Sequence, residues 1–301
     1  MLARAHGVAV ALLLQITANG LLLGGLYALL AVGLTLIFGV LRVVNFAHAE
    51  FMMLGMYGAY WLWARWGIDP YLAAIVVVPA VFVLGVVVSR VIVERSINAP
   101  DVTVVFATLG LSIALQNLAL SLWSADIRSV STVYSSAVIV WQGVRLSVPM
   151  LVSFSLAMLL ALALGWFLRS TMMGKAIQAV AQQRQAAALM GIDVRRVYRL
   201  TYAVAVAAAA LTGVLLAPMF SIFPRVGQSY IVKVFVIVVL GGLGSVPGAV
   251  LAALFAGVME AMTGFFIGSA WAELVFFVVF LLLLILRPQG FLGRRGAEVY
   301  R

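Results

Sequence analysis

Residues Val8–Val40 read VAVALLLQITANGLLLGGLYALLAVGLTLIFGV, a run without one charged side chain. An α-helix rises about 1.5 Å per residue, so about twenty apolar residues cross roughly 30 Å of hydrocarbon. The run is too long for one straight crossing. Gly20, Gly24, Gly25, Gly33 and Gly39 offer places where it breaks into an interfacial lead-in and a crossing helix. Basic residues near Met1, namely Arg4 and His6, resemble the start of a signal peptide. The apolar run continues well past any cleavage site, which favours an uncleaved first span.

Further apolar stretches occupy about 47–64, 71–93, 102–123, 148–168, 200–222, 230–246, 248–267 and 271–287. Of the 301 residues, 65% are hydrophobic and only 9% charged. A soluble domain is about half apolar and about a quarter charged, so this surface must face lipid. The segments are continuously apolar and rich in Ala, Leu and Gly, without the ten-residue alternation of a transmembrane barrel. The expected fold is therefore an all-α polytopic transmembrane helix bundle of about 8–9 spans, forming one domain over 1–301 with no internal repeat. The stretch 230–248 is the exception. Ile231–Leu240 is apolar for ten residues before Gly241–Gly242–Leu243–Gly244–Ser245–Val246–Pro247–Gly248. That predicts a re-entrant or glycine-broken segment, which is tolerated at membrane depth only inside protein or beside a wet cavity.

The net charge of +10 sits between spans and reads as a topology signal. Alternating the connections puts Arg42, Arg90, Arg95, Arg169, Lys175, Arg184, Arg195, Arg196, Arg199, Arg287, Arg294, Arg295 and Arg301 on one side. Arg4, Arg65, Arg128, Arg145, Arg225 and Lys233 fall on the other. The richer side is expected to be cytoplasmic, with the Arg169–Arg199 loop and the C-terminus, and the polar Ser124–Ser147 loop lies outside.

The chain has no cysteine and two histidines, His6 and His48, so no thiolate chemistry and no zinc site is expected. Neither Lys175 nor Lys233 stands in a phosphate-binding loop, so no nucleotide cofactor is expected. No nucleophile–base set is evident, and an enzyme is not expected. Three features remain. Ala176–Leu189 reads as an amphipathic helix stopped by Gly191, and its small residues Ala186 and Ala187 suit docking into a partner's groove, or else it is a solvated linker. Asn45, His48 and Glu50 cluster between two apolar stretches, as an inter-span turn capped by Asn45 or as substrate contacts. Glu260 lies inside an apolar stretch, where a carboxylate costs about 2.5–3.5 kcal/mol on insertion scales. It is a pathway or proton site, or half of a structural pair. With Gly241, Gly242 and Gly244 it forms a candidate translocation path, in which Glu260 faces inward near the glycines. Gln116 and Asn117 read as interhelical hydrogen bonders, and Lys233 and Glu273 as residues snorkelling from outer span ends.

At these motifs the chain resembles the LivH-type permeases of branched-chain amino acid ABC importers, the LivH/LivM permease family, over nearly its whole length. The family's N-F-A-H-G-E is Asn45–Phe46–Ala47–His48–Ala49–Glu50 here, with Ala49 for glycine. Its coupling segment is matched by Met173–Gly174–Lys175–Ala176 and by Gln185–Ala186–Ala187–Ala188–Leu189–Met190–Gly191–Ile192, with Gln185 where Glu is usual. Val239–Ala249 and Arg287–Gly293 are the third and fourth matches. The resemblance implies an importer subunit in the bacterial inner membrane that translocates branched-chain or other small amino acids. Gly174, Lys175, Gln185, Ala186, Ala187 and Gly191 would then meet the ATPase. The implied partners are a second homologous permease, two cytoplasmic ATP-binding subunits, an extracytoplasmic solute-binding protein and membrane lipid, with no nucleic acid. Permeases for urea or short amides share the pattern. A gradient-driven secondary transporter or channel using Glu260 is the alternative from another class.

Overall fold

The computed structural model describes residues 2–96, 100–141 and 143–293. The basic residues Arg294, Arg295 and Arg301 lie outside the described residues. The helices are α1 (Leu2–Leu41), α2 (His48–Trp66), α3 (Ala74–Val88), α4 (Glu94–Ser96), α5 (Asp101–Trp123), α6 (Val148–Ser170), α7 (Met172–Gln182), α8 (Arg184–Leu189), α9 (Val194–Leu216), α10 (Val226–Gly241), α11 (Val246–Phe266) and α12 (Ser269–Leu286). A π-helical turn, Ser89–Val93, joins α3 to α4. Among the described residues, seven helices are long and apolar enough to cross a membrane, and α10 is shorter. This is the all-α polytopic bundle expected. The 16 residues of α10 reach about 24 Å, short of a full hydrocarbon layer.

The expected break in the first run is absent. α1 is one helix of 40 residues, with its spanning part at Ala11–Leu41. Its glycines serve contact instead. A Cβ on Gly20 would stand 2.7 Å from the Val258 α-carbon, and one on Gly24 would stand 2.7 Å from the Ala253 carbonyl oxygen. Gly257 on α11 faces Gly20 and Gly24 in return. In lipid no hydrophobic drive pushes helices together, so small residues that let backbones touch supply the dispersion gain. α1 accordingly packs most extensively on α11, and α2 on α9. α9, with its run Ala207–Ala210, is the most enclosed helix after α1.

The bundle has two distinct ends. At one, the polar loop contains a two-stranded hairpin, β1 (Val138–Trp141) and β2 (Val144–Ser147), which the sequence reading took as plain loop. Gly143 makes its turn with φ +85°. Gln15 of α1 donates to the Arg145 carbonyl at 2.6 Å, and Arg128 and Ile222 form a backbone bridge. At the opposite end lie α7, α8, the α10–α11 turn and the segment 287–293. Arg199 pairs with Glu94 there at 2.6 Å.

The Gly241–Gly248 stretch is a close helix–helix turn. α10 ends at Gly241, Gly242 and Gly244 take φ +96° and +81°, and Ser245 caps α11 by accepting from the Gly248 amide. A Cβ on Gly241 would stand 2.5 Å from the Gly248 carbonyl carbon. The Phe291 amide donates to the Leu240 carbonyl at 2.7 Å and the Leu292 amide to Gly241 at 3.2 Å. The two motifs at 239–249 and 287–293 are therefore one structural unit, in which the second satisfies carbonyls that end the first.

Candidate functional site

α1 ends at Leu41, and residues 42–47 fold back so that α2 starts deep in the bundle rather than at its end. His48, the first residue of α2, reaches the Leu30 carbonyl, eleven residues before α1 stops. The carbonyl can only accept, so Nε2 donates, at 3.1 Å. Gly33 makes room for the ring, since a Cβ there would stand 3.0 Å from His48 Cε1. Asn45 is not the cap of α2; that position is Ala47, with no side-chain bond. Asn45 holds the preceding turn, accepting from the Ala47 amide at 3.2 Å, and donates to the Tyr202 hydroxyl of α9 at 3.2 Å. The Phe46 amide donates to Thr108 of α5 at 3.3 Å.

Glu50 stands in the first turn of α2, where the helix dipole favours a carboxylate. It is 1% exposed. Its Oε1 accepts from Gln116 at 2.7 Å and from Ser112 at 3.1 Å, both on α5. Oε2 has no hydrogen-bond partner among the described residues. It lies against Gly227 in the first turn of α10, where a Cβ would stand 2.7 Å away. The structure thus gathers Asn45, His48 and Glu50 into one buried centre and adds Thr108, Ser112, Gln116 and Tyr202. The sequence reading named Gln116 as an interhelical bonder and missed the other three. Thr108, Ser112 and Gln116 recur every four residues on α5, which puts them on one face and was the available signal. Asn117 bonds instead to its own helix, at the Ile113 carbonyl.

Glu260 is elsewhere. It sits 14 residues along α11 from Val246, about 21 Å from the glycine turn, so the proposed neighbourhood of Glu260 and Gly241, Gly242 and Gly244 does not exist. Nor does Lys233 snorkel from an outer end. It is the eighth residue of α10 and donates to Glu260 Oε1 at 2.8 Å. The Tyr27 hydroxyl of α1 donates to Glu260 Oε2 at 2.9 Å. Glu260 is thus paired across the bundle with Lys233 of α10 and Tyr27 of α1.

The residues of the Arg169–Arg199 segment divide. The helix expected over Ala176–Leu189 is broken at Gln183, whose φ −151° and ψ 101° are extended, into α7 and α8. No residue of Gln182–Gln183–Arg184 breaks a helix alone. The chain must return to α9, and α8 does so with Ala187 buried and the Arg184 guanidinium 5.9 Å from the Tyr198 ring. Gly174 is buried at the α6–α7 corner, where a Cβ would stand 2.5 Å from the Leu168 α-carbon. Lys175, Gln185 and Gly191 are exposed and Ala186 is half-buried. Three apolar side chains here are bare: Met172 at 82%, Leu189 at 89% and Met190 at 83%. A cleft of about 360 Å³ opens where this segment meets Glu94, lined also by Arg184, Asp193 and Arg195 among others.

The sequence profile of the family described as "Branched-chain amino acid transport system / permease component" matches residues 16–284. The chain is 33% identical to the high-affinity branched-chain amino acid transport system permease protein LivH of Salmonella typhimurium, over 95% of this chain and 97% of that one. It is 32% identical to LivH of Escherichia coli K12 with the same coverage. It is 31% identical to BraD of Pseudomonas aeruginosa, a permease of the same description, over 95% and 97%. No solved structure matches. Profile and relatives run through every spanning helix and both polar centres, and this multi-pass membrane chain belongs to the branched-chain amino acid transport permease family.

Proposed function

We propose that the chain is the membrane-spanning subunit of an ABC importer that carries branched-chain amino acids inward. One observation carries the reading beyond family membership: bare apolar side chains stand at the end of the bundle that also holds most of the basic residues. Met172 at the start of α7 and Leu189 and Met190 at the end of α8 are uncovered, in a segment whose Lys175, Arg184 and Arg195 are exposed as well. Apolar side chains bare among charged ones, outside the apolar spans, mark a protein contact rather than a lipid one. By the positive-inside rule that end is cytoplasmic, as is the C-terminus. The contact is then an ATP-binding subunit seated on α7 and α8, touching Lys175, Gln185, Ala186 and Gly191. The remaining partners are a second homologous permease, a second ATP-binding subunit and an extracytoplasmic solute-binding protein. Glu260 is paired with Lys233 and Tyr27, which gives no support to a free proton site for gradient-driven transport.

Gly191 supplies the test. Its φ is +81°, and a Cβ there meets nothing within 4 Å among the described residues. The left-handed backbone strains any L side chain at 191, and the asparagine variant carries that strain at least cost, so a loss seen with tryptophan alone points to a clash with a partner. Gly191→Trp is expected to insert and accumulate but to lose both ATPase co-purification and ATP-driven leucine uptake. Gly191→Asn, which tolerates the left-handed backbone, is expected to keep both. Normal ATPase recovery and uptake with Gly191→Trp would leave α7 and α8 a plain linker.

A further inference from the structure

Lys233 and Glu260 form an ion pair inside the spans that is not closed off. Their side chains are 16% and 27% exposed. Lysine has three donors. One goes to Glu260 Oε1 at 2.8 Å and one to the Tyr27 hydroxyl at 3.4 Å. The third has no acceptor among the described residues. Each oxygen of Glu260 accepts one bond, from Lys233 or from Tyr27, and keeps a further lone pair for another donor. Lipid is a costly neighbour for such a pair. The uncovered side therefore faces water or protein.

The sequence around Lys233 shows where that opening leads. Arg225, the residue that precedes α10, is followed at spacings of four by Ser229 and Lys233, which share one face of the helix. Arg225 and Ser229 are exposed, as are Gln228 and Val232 beside them. The residues at the same spacing beyond Lys233 do not continue the stripe, because Ile237 and Gly241 are buried. The polar face thus runs from the hairpin end of the bundle to the ion pair and stops there.

We propose that Lys233 and Glu260 form a transit site for the backbone of a zwitterionic α-amino acid. Lys233 takes the α-carboxylate and Glu260 takes the α-ammonium. This rests on the importer reading above and names the site through which its substrate passes. A zwitterion carries the same two charges as the pair, so it enters by partner exchange and no charge is left alone in the membrane. Tyr27 holds Glu260 in place while Lys233 turns to the substrate. Its ring also lies 5.4 Å from the Lys233 ammonium and 6.1 Å from the Tyr230 ring, which fixes the floor of the site. The pair reads only the groups common to all amino acids. The side chain of the substrate is not read here.

The experiment uses the permease reconstituted in proteoliposomes with its ATPase and solute-binding protein, and reads radiolabelled L-leucine imported per ATP hydrolysed. The double variant Lys233→Met with Glu260→Leu removes both charges and orphans neither, a change that folded proteins often tolerate. The expected result is a fall in leucine per ATP of at least tenfold. A pair with only a structural role would lower uptake and hydrolysis together and leave the ratio unmoved, and that result overturns the proposal. Should the double variant fail to accumulate, Tyr27→Phe decides. It keeps the pair and removes one hydroxyl, and a ratio lowered several-fold upholds the site, whereas an unchanged ratio sinks it. If the wild-type complex shows no ATP-driven leucine uptake at all, the importer reading itself fails, and the transit site fails with it.

Discussion

Replacing Glu50 by leucine should loosen the attachment of α5 to the bundle by an amount that the geometry sets. Glu50 Oε1 accepts two hydrogen bonds, from Gln116 at 2.7 Å and Ser112 at 3.1 Å. Gln116 also reaches Ser112 at 3.2 Å, so the serine oxygen keeps one contact after the substitution. Interhelical hydrogen bonds within membranes average about 0.6 kcal/mol and reach about 1.7. Two of them lost together cost about 1–3 kcal/mol, since Gln116 and Ser112 are buried and find no water. Glu50→Gln keeps a carbonyl oxygen to accept from α5 and should cost less than about 1 kcal/mol. The assay is thermal unfolding of the purified protein in detergent, followed by the fluorescence of its 7 tryptophans. Gln116→Leu and the double variant complete a cycle, with a coupling of at least about 0.5 kcal/mol expected because both singles break the same bond. A Glu50→Leu protein as stable as wild type, or strictly additive losses, would refute the reasoning.

Three further outcomes follow from contacts already described. Gly248→Ala drives a Cβ into the Gly241 carbonyl and should lower stability by about 1–3 kcal/mol, whereas Gly264→Ala, which meets nothing within 4 Å, should not; thermal melts of the two compare them. A stop codon after Arg287 removes the amides of Phe291 and Leu292 from the end of α10 and should reduce accumulation in the membrane fraction, while a stop after Gly293 should not. A Gln183→Cys protein should react with an impermeant thiol reagent only once the membrane is opened, and labelling of intact cells from outside would reverse the orientation.

Helix positions were legible because lipid imposes a length and an apolar surface on every crossing. The stretches read at 47–64, 102–123 and 248–267 became His48–Trp66, Asp101–Trp123 and Val246–Phe266. Glycine was harder to read. In Val8–Val40 it looked like a breaker, yet Gly20 and Gly24 are contact points for α11, and only a partner helix distinguishes the two uses. The hairpin Val138–Ser147 carried a signal, with Val-Ile-Val-Trp before a turn glycine, but lay in a polar loop where no span was sought. The candidate centre was half legible. Asn45, His48 and Glu50 stood out as polar residues between apolar runs. The partners of Glu50 on α5 are more than sixty residues away in sequence, and nothing local pairs it with Gln116. Lys233 was misplaced for a related reason: residues 226–229 were counted with the loop, although α10 begins at Val226, which moves Lys233 two turns into the helix.

The two polar centres do different work because they differ in closure. Around Glu50 the donors are protein groups and the cluster is sealed, so its bonds fasten helices to one another. α5 has the most to gain. It presents Phe106, Ile113, Leu118 and Leu122 outward and touches α2 and the π turn only sparsely. Lipid chains are as apolar as those side chains, so no hydrophobic force holds α5 against the bundle. Its bonds from Thr108, Ser112 and Gln116 to the α1–α2 fold-back and to Glu50 are therefore what fix its place and rotation. Around Glu260 the pair is partly exposed and keeps hydrogen-bonding capacity on its uncovered side, whereas the unpartnered Oε2 of Glu50 is buried where no solute reaches it. A transporter needs both kinds of site. A sealed polar joint keeps the wall of the path in register, and an unsealed one lets a charged solute exchange partners on its way through.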